Sequence, residues 1–146
     1  MHLRRGQALS VHPFRAAVEA RDPDAMEALL AENVVFTSPV AFKPYPGKPI
    51  TAAILRAVMR VFEDFRYVRE IDGGSDHALV FEATVDGRAI TGCDFLHTNE
   101  DGLIDDFMVM VRPLSGATAL AARMGEQFEQ ISREATAAAA AAETSA

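Results

Sequence analysis

The sequence has little of what secreted and membrane proteins require. Its one cysteine, Cys93, cannot form an intrachain disulfide, which indicates a reducing compartment, and we expect the cytoplasm. The start of the chain lacks the apolar core of a signal peptide. No apolar run approaches the roughly 18 residues that a membrane-spanning helix needs. A soluble intracellular protein is therefore expected.

Motifs for metals, cofactors and nucleic acids are missing as well. His12, His77 and His97 are far apart and show no metal-ligand spacing, and the glycines form no phosphate-binding pattern. The formal net charge of −7 argues against nucleic acid or an anionic membrane as the main partner. We expect no metal and no cofactor, and a small molecule as the ligand.

The chain of 146 residues is long enough for one domain. Residues 1–10 are predicted to be an N-terminal extension and residues 11–115 the domain itself. Beyond Pro113, apolar residues at three- and four-residue steps predict an amphipathic helix over 116–135, and the alanine-rich tail 136–146 is predicted to be disordered.

The first part of the domain predicts two short helices and a strand. The first helix begins near Pro13, and the second is capped by Asp22 and carries Leu30 in its buried stripe. Asn33 is predicted to end the second helix, and residues 34–37 form a short strand.

Residues 38–49 hold four prolines and a glycine, which is typical of an irregular loop that lines or covers a cavity. A third helix follows, and from Phe65 to Val111 the pattern predicts a meander of four strands. Helices first and an antiparallel meander afterwards indicate an α+β fold with the helices on one face of the sheet.

The pair Asp86-Gly87 lies between two β-rich runs and predicts a type I′ hairpin, which needs positive φ at both central residues. This turn sets Leu79 opposite Asp94, and directly opposed residues share a face. Asp94 is thereby placed on a core-forming surface with apolar neighbours: Leu79, Phe81, Ala83, Val85 and Ile90.

The last hairpin, drawn with Asp94 beside Phe107, adds Val109 and Val111 to the core face. Met108 and Met110 then lie on the opposite face. That face also carries Val80, Cys93 and Phe95, and its apolar character predicts a cover, either a dimer interface or the C-terminal helix.

The segments FTSPV, PYPG and GCDFLHTNEDGLIDDF, in this order and spacing, resemble the SnoaL-like group of the nuclear-transport-factor-2-like superfamily. The resemblance implies a cone-shaped, curved antiparallel sheet (a cystatin-like α+β barrel) with three helices enclosing an apolar pocket. It also implies a homodimer.

The ketosteroid isomerases of this superfamily have an aspartate that Asp94 resembles, with the implied role of a protonated hydrogen-bond donor. Their general base falls at Ser38, and their first-helix tyrosine has no counterpart in residues 15–17. Steroid isomerisation by that machinery is therefore not expected. The polyketide cyclases use a single acid/base aspartate, a role that Asp94 alone can fill.

Two interpretations of Asp94 remain open. Desolvation would raise its pKa and suit it to proton transfer, whereas an ion pair with an arginine such as Arg112 would make it structural. We take Asp94 as the candidate catalytic residue. The candidate ligand-binding residues are Phe36, Ser38, Tyr45, Phe62, Phe81, Phe107 and Val109.

The sequence leaves two main functions open, beside a third, a structural partner subunit for another protein, which rests only on the C-terminal helix. The first is a protein that binds a small hydrophobic ligand and acts as a cofactor-free acid/base enzyme of the cyclase, isomerase or dehydratase type. Its substrate would be polyketide-, steroid- or terpene-like. The second is a non-catalytic ligand-binding or dimerisation module of the same fold.

Overall fold

Residues 11–145 fold into a curved, open six-stranded sheet with four helices on its inner side. The structure is a computed structural model that describes these residues, and the N-terminal extension 1–10 lies outside them. The elements are α1 (Pro13–Glu19), α2 (Pro23–Ala28), β1 (Leu30–Thr37), β2 (Tyr45–Pro46), α3 (Lys48–Val61), β3 (Glu63–Gly73), β4 (Asp76–Val85), β5 (Arg88–Thr98), β6 (Ile104–Arg112) and α4 (Leu114–Ser145). The predicted α+β class is confirmed.

The sheet is mixed rather than wholly antiparallel. Its strand order is β2-β1-β6-β5-β4-β3, and β1 pairs in parallel with β6. This pairing sets Phe36 against Phe107, with their ring centroids 5.4 Å apart. The first and last long strands are thus joined by buried aromatic contact as well as by backbone hydrogen bonds.

The Asp86-Gly87 turn confirms the predicted hairpin between β4 and β5. Asp86 has φ 50° and Gly87 has φ 74°, the positive values that a type I′ turn requires. Leu79 is paired with Asp94 and Phe81 with Gly92, as the turn predicts. The inward residues of both strands are buried.

The pairing of β5 with β6 is shifted by two residues from the expected one. Asp94 lies opposite Val109, and Phe107 lies opposite Leu96. At the loop end of this strand pair, an irregularity between His97 and Thr98 changes the register by one residue, because Asp105 is accommodated there. A shift of two residues leaves the faces unchanged, so Phe107 and Val109 still point inward.

The second helix ends earlier than the sequence indicates. Asp22 Oδ1 accepts a hydrogen bond from the Ala25 amide at 3.1 Å, which confirms the cap. However, α2 ends at Ala28 and β1 begins at Leu30, so Leu30 is a strand residue and not part of a helix stripe. Leu30 is buried and paired with Ile104, and this tertiary pairing overrides the local helical pattern.

The C-terminal helix is longer than predicted. After Pro113 ends β6, α4 runs from Leu114 to Ser145, so residues 136–145 of the tail that was expected to be disordered are helical, and Ala146 lies outside the described residues. Alanine has the highest helix propensity, and the preceding turns supply the nucleus from which the helix extends.

Leu120 and Ile131 of α4 are buried in the core on the inner side of the sheet. The helix therefore leaves the outer face uncovered, where Phe95 and Met110 are 37% and 54% exposed. No helix among residues 11–145 is long and apolar enough to cross a membrane.

Candidate functional site

A cavity of about 460 Å³, called the main cavity below, lies between the inner face of the sheet, the helices and the proline-rich loop. Its lining is mostly apolar. All eight candidate residues from the sequence lie on its wall: Phe36, Ser38, Tyr45, Phe62, Phe81, Asp94, Phe107 and Val109. Because they come from five different strands and two connecting segments, only the tertiary fold brings them together.

Asp94 lies on the wall of the main cavity and is 6% exposed. Tyr67 Oη donates a hydrogen bond to Asp94 Oδ2 at 2.8 Å. Arg112, the expected ion-pair partner, is instead exposed on the outer face opposite Thr91. Among residues 11–145 no arginine or lysine forms a salt bridge with Asp94, so the ion-pair interpretation is wrong for Arg112.

Burial raises the pKa of Asp94 from 3.8 to about 7, and the hydrogen bond from Tyr67 offsets part of that rise because it favours the charged carboxylate. Desolvation, reinforced by the negative charge of Asp94, raises the pKa of Tyr67 well above 10, so its phenol stays protonated. Near neutral pH the Asp94 carboxyl is therefore present in both forms and can donate or accept a proton.

Tyr67 was missed as a site residue in the sequence, because a β-bulge decides where its side chain points. The turn at Gly74 pairs β3 with β4 so that Arg69 lies opposite Val80, on the outer face. Val68 is then the extra residue, and Tyr67 lies opposite Phe81 on the inner face. Without the bulge, Tyr67 would pair with Glu82 and face outward.

A cluster of stacked aromatic rings forms one wall of the main cavity. Phe65 stacks on Phe62 and Phe81, with ring centroids 5.7 and 4.9 Å apart, and meets Tyr67 edge-on at 4.9 Å. The Phe81 ring lies directly over Gly92, where a Cβ atom would overlap ring atoms. The glycine before Cys93 and Asp94 therefore gives Phe81 its place in the wall.

Ser38 and Tyr45 line the main cavity, and each makes a contact that stabilises the local structure. Ser38 Oγ accepts a hydrogen bond from the Val40 amide at 3.0 Å and so stabilises the turn that opens the proline-rich loop. The Tyr45 ring packs against Phe128 with the centroids 5.8 Å apart. Both contacts help to shape the wall of the main cavity.

Three charged residues that the sequence did not single out also line the main cavity: Glu19, Arg21 and Arg66. Glu19 pairs with Arg15, whose Nε lies 3.0 Å from Glu19 Oε2, and Arg66 pairs with Glu82 at 2.7 Å. Glu19 follows Phe14 by five residues, which is not a same-face spacing in a helix, so the sequence gives no signal for its place on the cavity wall.

The three histidines within residues 11–145 lie away from the main cavity. His97 Nδ1 is 2.6 Å from Asp105 Oδ1, and this hydrogen bond raises the pKa of His97. His12 and His77 pack together with ring centroids 4.5 Å apart, and His12 Nδ1 accepts from the Phe14 amide to cap α1. Among residues 11–145 no group of three His, Cys, Asp or Glu side chains is arranged to hold a metal ion.

Comparison with known proteins agrees with this geometry. Residues 11–107 match the SnoaL-like domain family. The chain belongs to the SnoaL-like family. The family lies in the nuclear-transport-factor-2-like superfamily, and the resemblance seen in the sequence is confirmed.

Two solved structures are similar in sequence as well as in fold to this SnoaL-like chain. A steroid delta-isomerase from Pseudomonas aeruginosa is 41% identical, with a TM-score of 0.75 over 79% of this chain and 85% of that one. An uncharacterised protein with a cystatin-like fold from Silicibacter pomeroyi is 36% identical, with a TM-score of 0.79 over 86% and 92% of the two chains.

A more distant structure supports the fold alone. It is a nuclear-transport-factor-2-like protein of unknown function from Cytophaga hutchinsonii, 21% identical, with a TM-score of 0.54 over 69% of this chain and 85% of that one. No curated protein is significantly similar to this SnoaL-like chain in sequence.

Proposed function

We propose that the protein binds a small apolar molecule carrying a carbonyl group and catalyses a cofactor-free acid/base reaction on it. The observation that carries this proposal is a buried carboxyl on the wall of an apolar cavity, bonded to a tyrosine and titrating near neutral pH: Asp94 with Tyr67. A carboxyl kept partly neutral at pH 7 can donate a hydrogen bond to an oxygen that gains negative charge.

The cavity suits this chemistry. Its volume of about 460 Å³ is in the range of small-molecule sites, and its apolar wall fits a polyketide-, steroid- or terpene-like skeleton. In the neutral form Asp94 would donate to the carbonyl oxygen while Tyr67 fixes the carboxyl orientation. Isomerisation, cyclisation and dehydration of such molecules all proceed through an enol or enolate, whose oxygen would accept this hydrogen bond.

The similarity to a protein named steroid delta-isomerase supports the isomerase class within this proposal. The hydrogen-bonded pair of Tyr67 and Asp94 comes from β3 and β5, and no first-helix tyrosine is part of it. Ser38 stands where the ketosteroid isomerases have their base. We therefore propose the reaction class and the carbonyl ligand, and not the isomerases' own set of residues.

The experiment uses 2-tetralone, a bicyclic ketone with exchangeable protons next to its carbonyl. Exchange of these protons in D₂O is followed by NMR for the wild type, Asp94→Asn and Asp101→Asn, the last being a control in an exposed loop. We expect exchange above the buffer rate, unchanged in Asp101→Asn and lower by about 100-fold in Asp94→Asn. Equal exchange by wild type and Asp94→Asn, both with bound ketone, would overturn the catalytic role.

A non-catalytic binding module is the second candidate. It is favoured by Ser38, whose hydroxyl is engaged with the Val40 amide at a place where related enzymes carry a carboxylate. This function predicts that 2-tetralone binds in the main cavity, seen as chemical-shift changes of Phe81 and Val109, while its protons exchange only at the buffer rate.

We also propose that the protein is a homodimer that joins its subunits through the outer sheet face. Paired residues form two mainly apolar rows across that face: Ile71, Ala78, Phe95 and Met108 in one, and Val80, Cys93 and Met110 together with Arg69 in the other. Asp76 and Asp106 border the rows at one end and Arg112 at the other, where Arg66 is already ion-paired with Glu82. A second copy with its strands reversed would set these opposite charges against each other.

Sedimentation velocity tests the interface with Met110→Glu, which sets a charge in the apolar rows. We expect a dimer that this variant converts to a monomer, whereas Leu114→Glu, on an 83% exposed residue of α4, leaves the dimer intact. A monomeric wild type would refute the homodimer.

The free Cys93 supports a reducing cytoplasm as the location.

A further inference from the structure

We propose that Glu19 is a second catalytic residue of the main cavity and accepts the proton that the substrate carbon releases. This inference rests on the proposed function, because it completes the acid/base pair of which Asp94 is the acid. The expected position of the base holds a serine, Ser38. Another group must therefore take the proton.

The lining of the main cavity restricts which residue can take this proton. Of the described residues on its wall, two are acidic, Glu19 and Asp94. Glu19 is the last residue of α1, and the same helix contributes Phe14 and Val18 to the wall. Phe14 packs edge-on against Phe107 with the ring centroids 5.1 Å apart, which fixes α1 against the cavity.

Arg15 connects Glu19 to the buried pair. Its Nε lies 3.0 Å from Glu19 Oε2, and its guanidinium carbon lies 5.9 Å from the centre of the Tyr67 ring. The charge of Glu19 acts on Tyr67, where it adds to the larger effects of desolvation and Asp94 that raise the pKa of the phenol. Glu19 is therefore within electrostatic reach of the Asp94–Tyr67 pair.

The two carboxyls have different surroundings. Asp94 is enclosed by apolar side chains, whereas the Glu19 side chain is 46% exposed and ion-paired. Such a difference separates the roles of two carboxyl groups in one site, with the desolvated one as the acid and the solvated, ion-paired one as the base.

The proton transfer needs no co-reactant. The bond between a hydrogen and the carbon next to the carbonyl breaks, the proton passes to the Glu19 carboxylate, and the electron pair moves to the carbonyl oxygen. Asp94 donates its hydrogen bond to that oxygen. Return of a proton from Glu19 to carbon completes the cycle, and in D₂O it returns a deuteron.

Glu19→Gln and Glu27→Gln test the inference with 2-tetralone in D₂O. Glu27 is the matched control because it also pairs with an arginine, Arg56 at 2.7 Å, but does not line the main cavity. Glutamine at position 19 can still accept a hydrogen bond from Arg15, so α1 keeps its contact. We expect exchange to fall by about 100-fold in Glu19→Gln with an unchanged Kd for the ketone, and no change in Glu27→Gln.

Further readouts separate catalysis from structure. Glu19→Asp keeps a carboxylate and should restore part of the exchange, whereas a purely structural role would be met equally by glutamine. If Glu19→Gln exchanges the ketone protons at the wild-type rate while Asp94→Asn does not, the inference about Glu19 is overturned and the proposed function stands. If the wild type itself shows no exchange, both fail.

Discussion

Asp94 makes the stability of the fold depend on pH, and Asp94→Asn isolates that dependence. In the folded protein, burial raises the pKa of this carboxyl from 3.8 to about 7. Between these two values the folded state retains a proton that the unfolded chain has released. The contribution of Asp94 to stability is therefore fully present below the unfolded pKa and is lost as the pH rises through the folded one.

The magnitude of this loss of stability follows from the same two pKa values. The difference between 3.8 and about 7 corresponds to about 4 kcal/mol, since a tenfold change in an equilibrium is worth about 1.4 kcal/mol. Asparagine has the shape of the neutral carboxyl and does not ionise. The free energy of unfolding of the wild type, relative to Asp94→Asn, should thus fall by about 4 kcal/mol from about pH 4 to about pH 8.

Urea denaturation at several pH values in this range measures the difference curve, in which the effects of all other titrating groups cancel. Asp101→Asn is the control, because its side chain is exposed to water in the folded chain. A difference curve for Asp94→Asn that stays within about 1 kcal/mol over the whole range would refute the argument that Asp94 is a desolvated carboxyl.

Three further variants probe the surroundings of the site. Tyr67→Phe removes the hydrogen bond that stabilises the charged form of Asp94, so carboxyl-carbon NMR should show a pKa above about 7 for Asp94; a lower value would contradict this. Gly92→Ala sets a methyl group against the Phe81 ring, and thermal melting should show a loss of about 1–3 kcal/mol. Ile131→Ala truncates a fully buried side chain of α4 and should cost about 2–5 kcal/mol in urea denaturation; wild-type stability would show that α4 is not docked.

Local patterns in the sequence were sufficient for much of the fold. The Asp86-Gly87 turn alone predicted the register of β4 and β5 and the face on which Asp94 lies, because a type I′ turn has a fixed geometry and strand side chains alternate. Asp22 before Pro23 likewise predicted the start of α2. These features depend on residues that are neighbours in the chain.

The tertiary structure decided the features that depend on distant segments. Leu30 became a strand residue because β6 pairs with it, and α4 docked on the inner side of the sheet, which left the outer face open. Glu19 came to the cavity because Phe14 of the same helix packs on Phe107. None of these contacts has a local signal.

The Asp94–Tyr67 pair depends partly on local sequence and partly on the tertiary structure. The sequence by itself determined that Asp94 belongs to the core face, since the adjacent turn specifies the pairing. Whether its carboxyl meets a partner depended on Val68, the extra residue of the bulge in β3. One inserted residue reverses the direction of every side chain beyond it, and the packing of Tyr67 against Phe65 of the same strand and Phe81 of the neighbouring one favours the bulged register over the regular one.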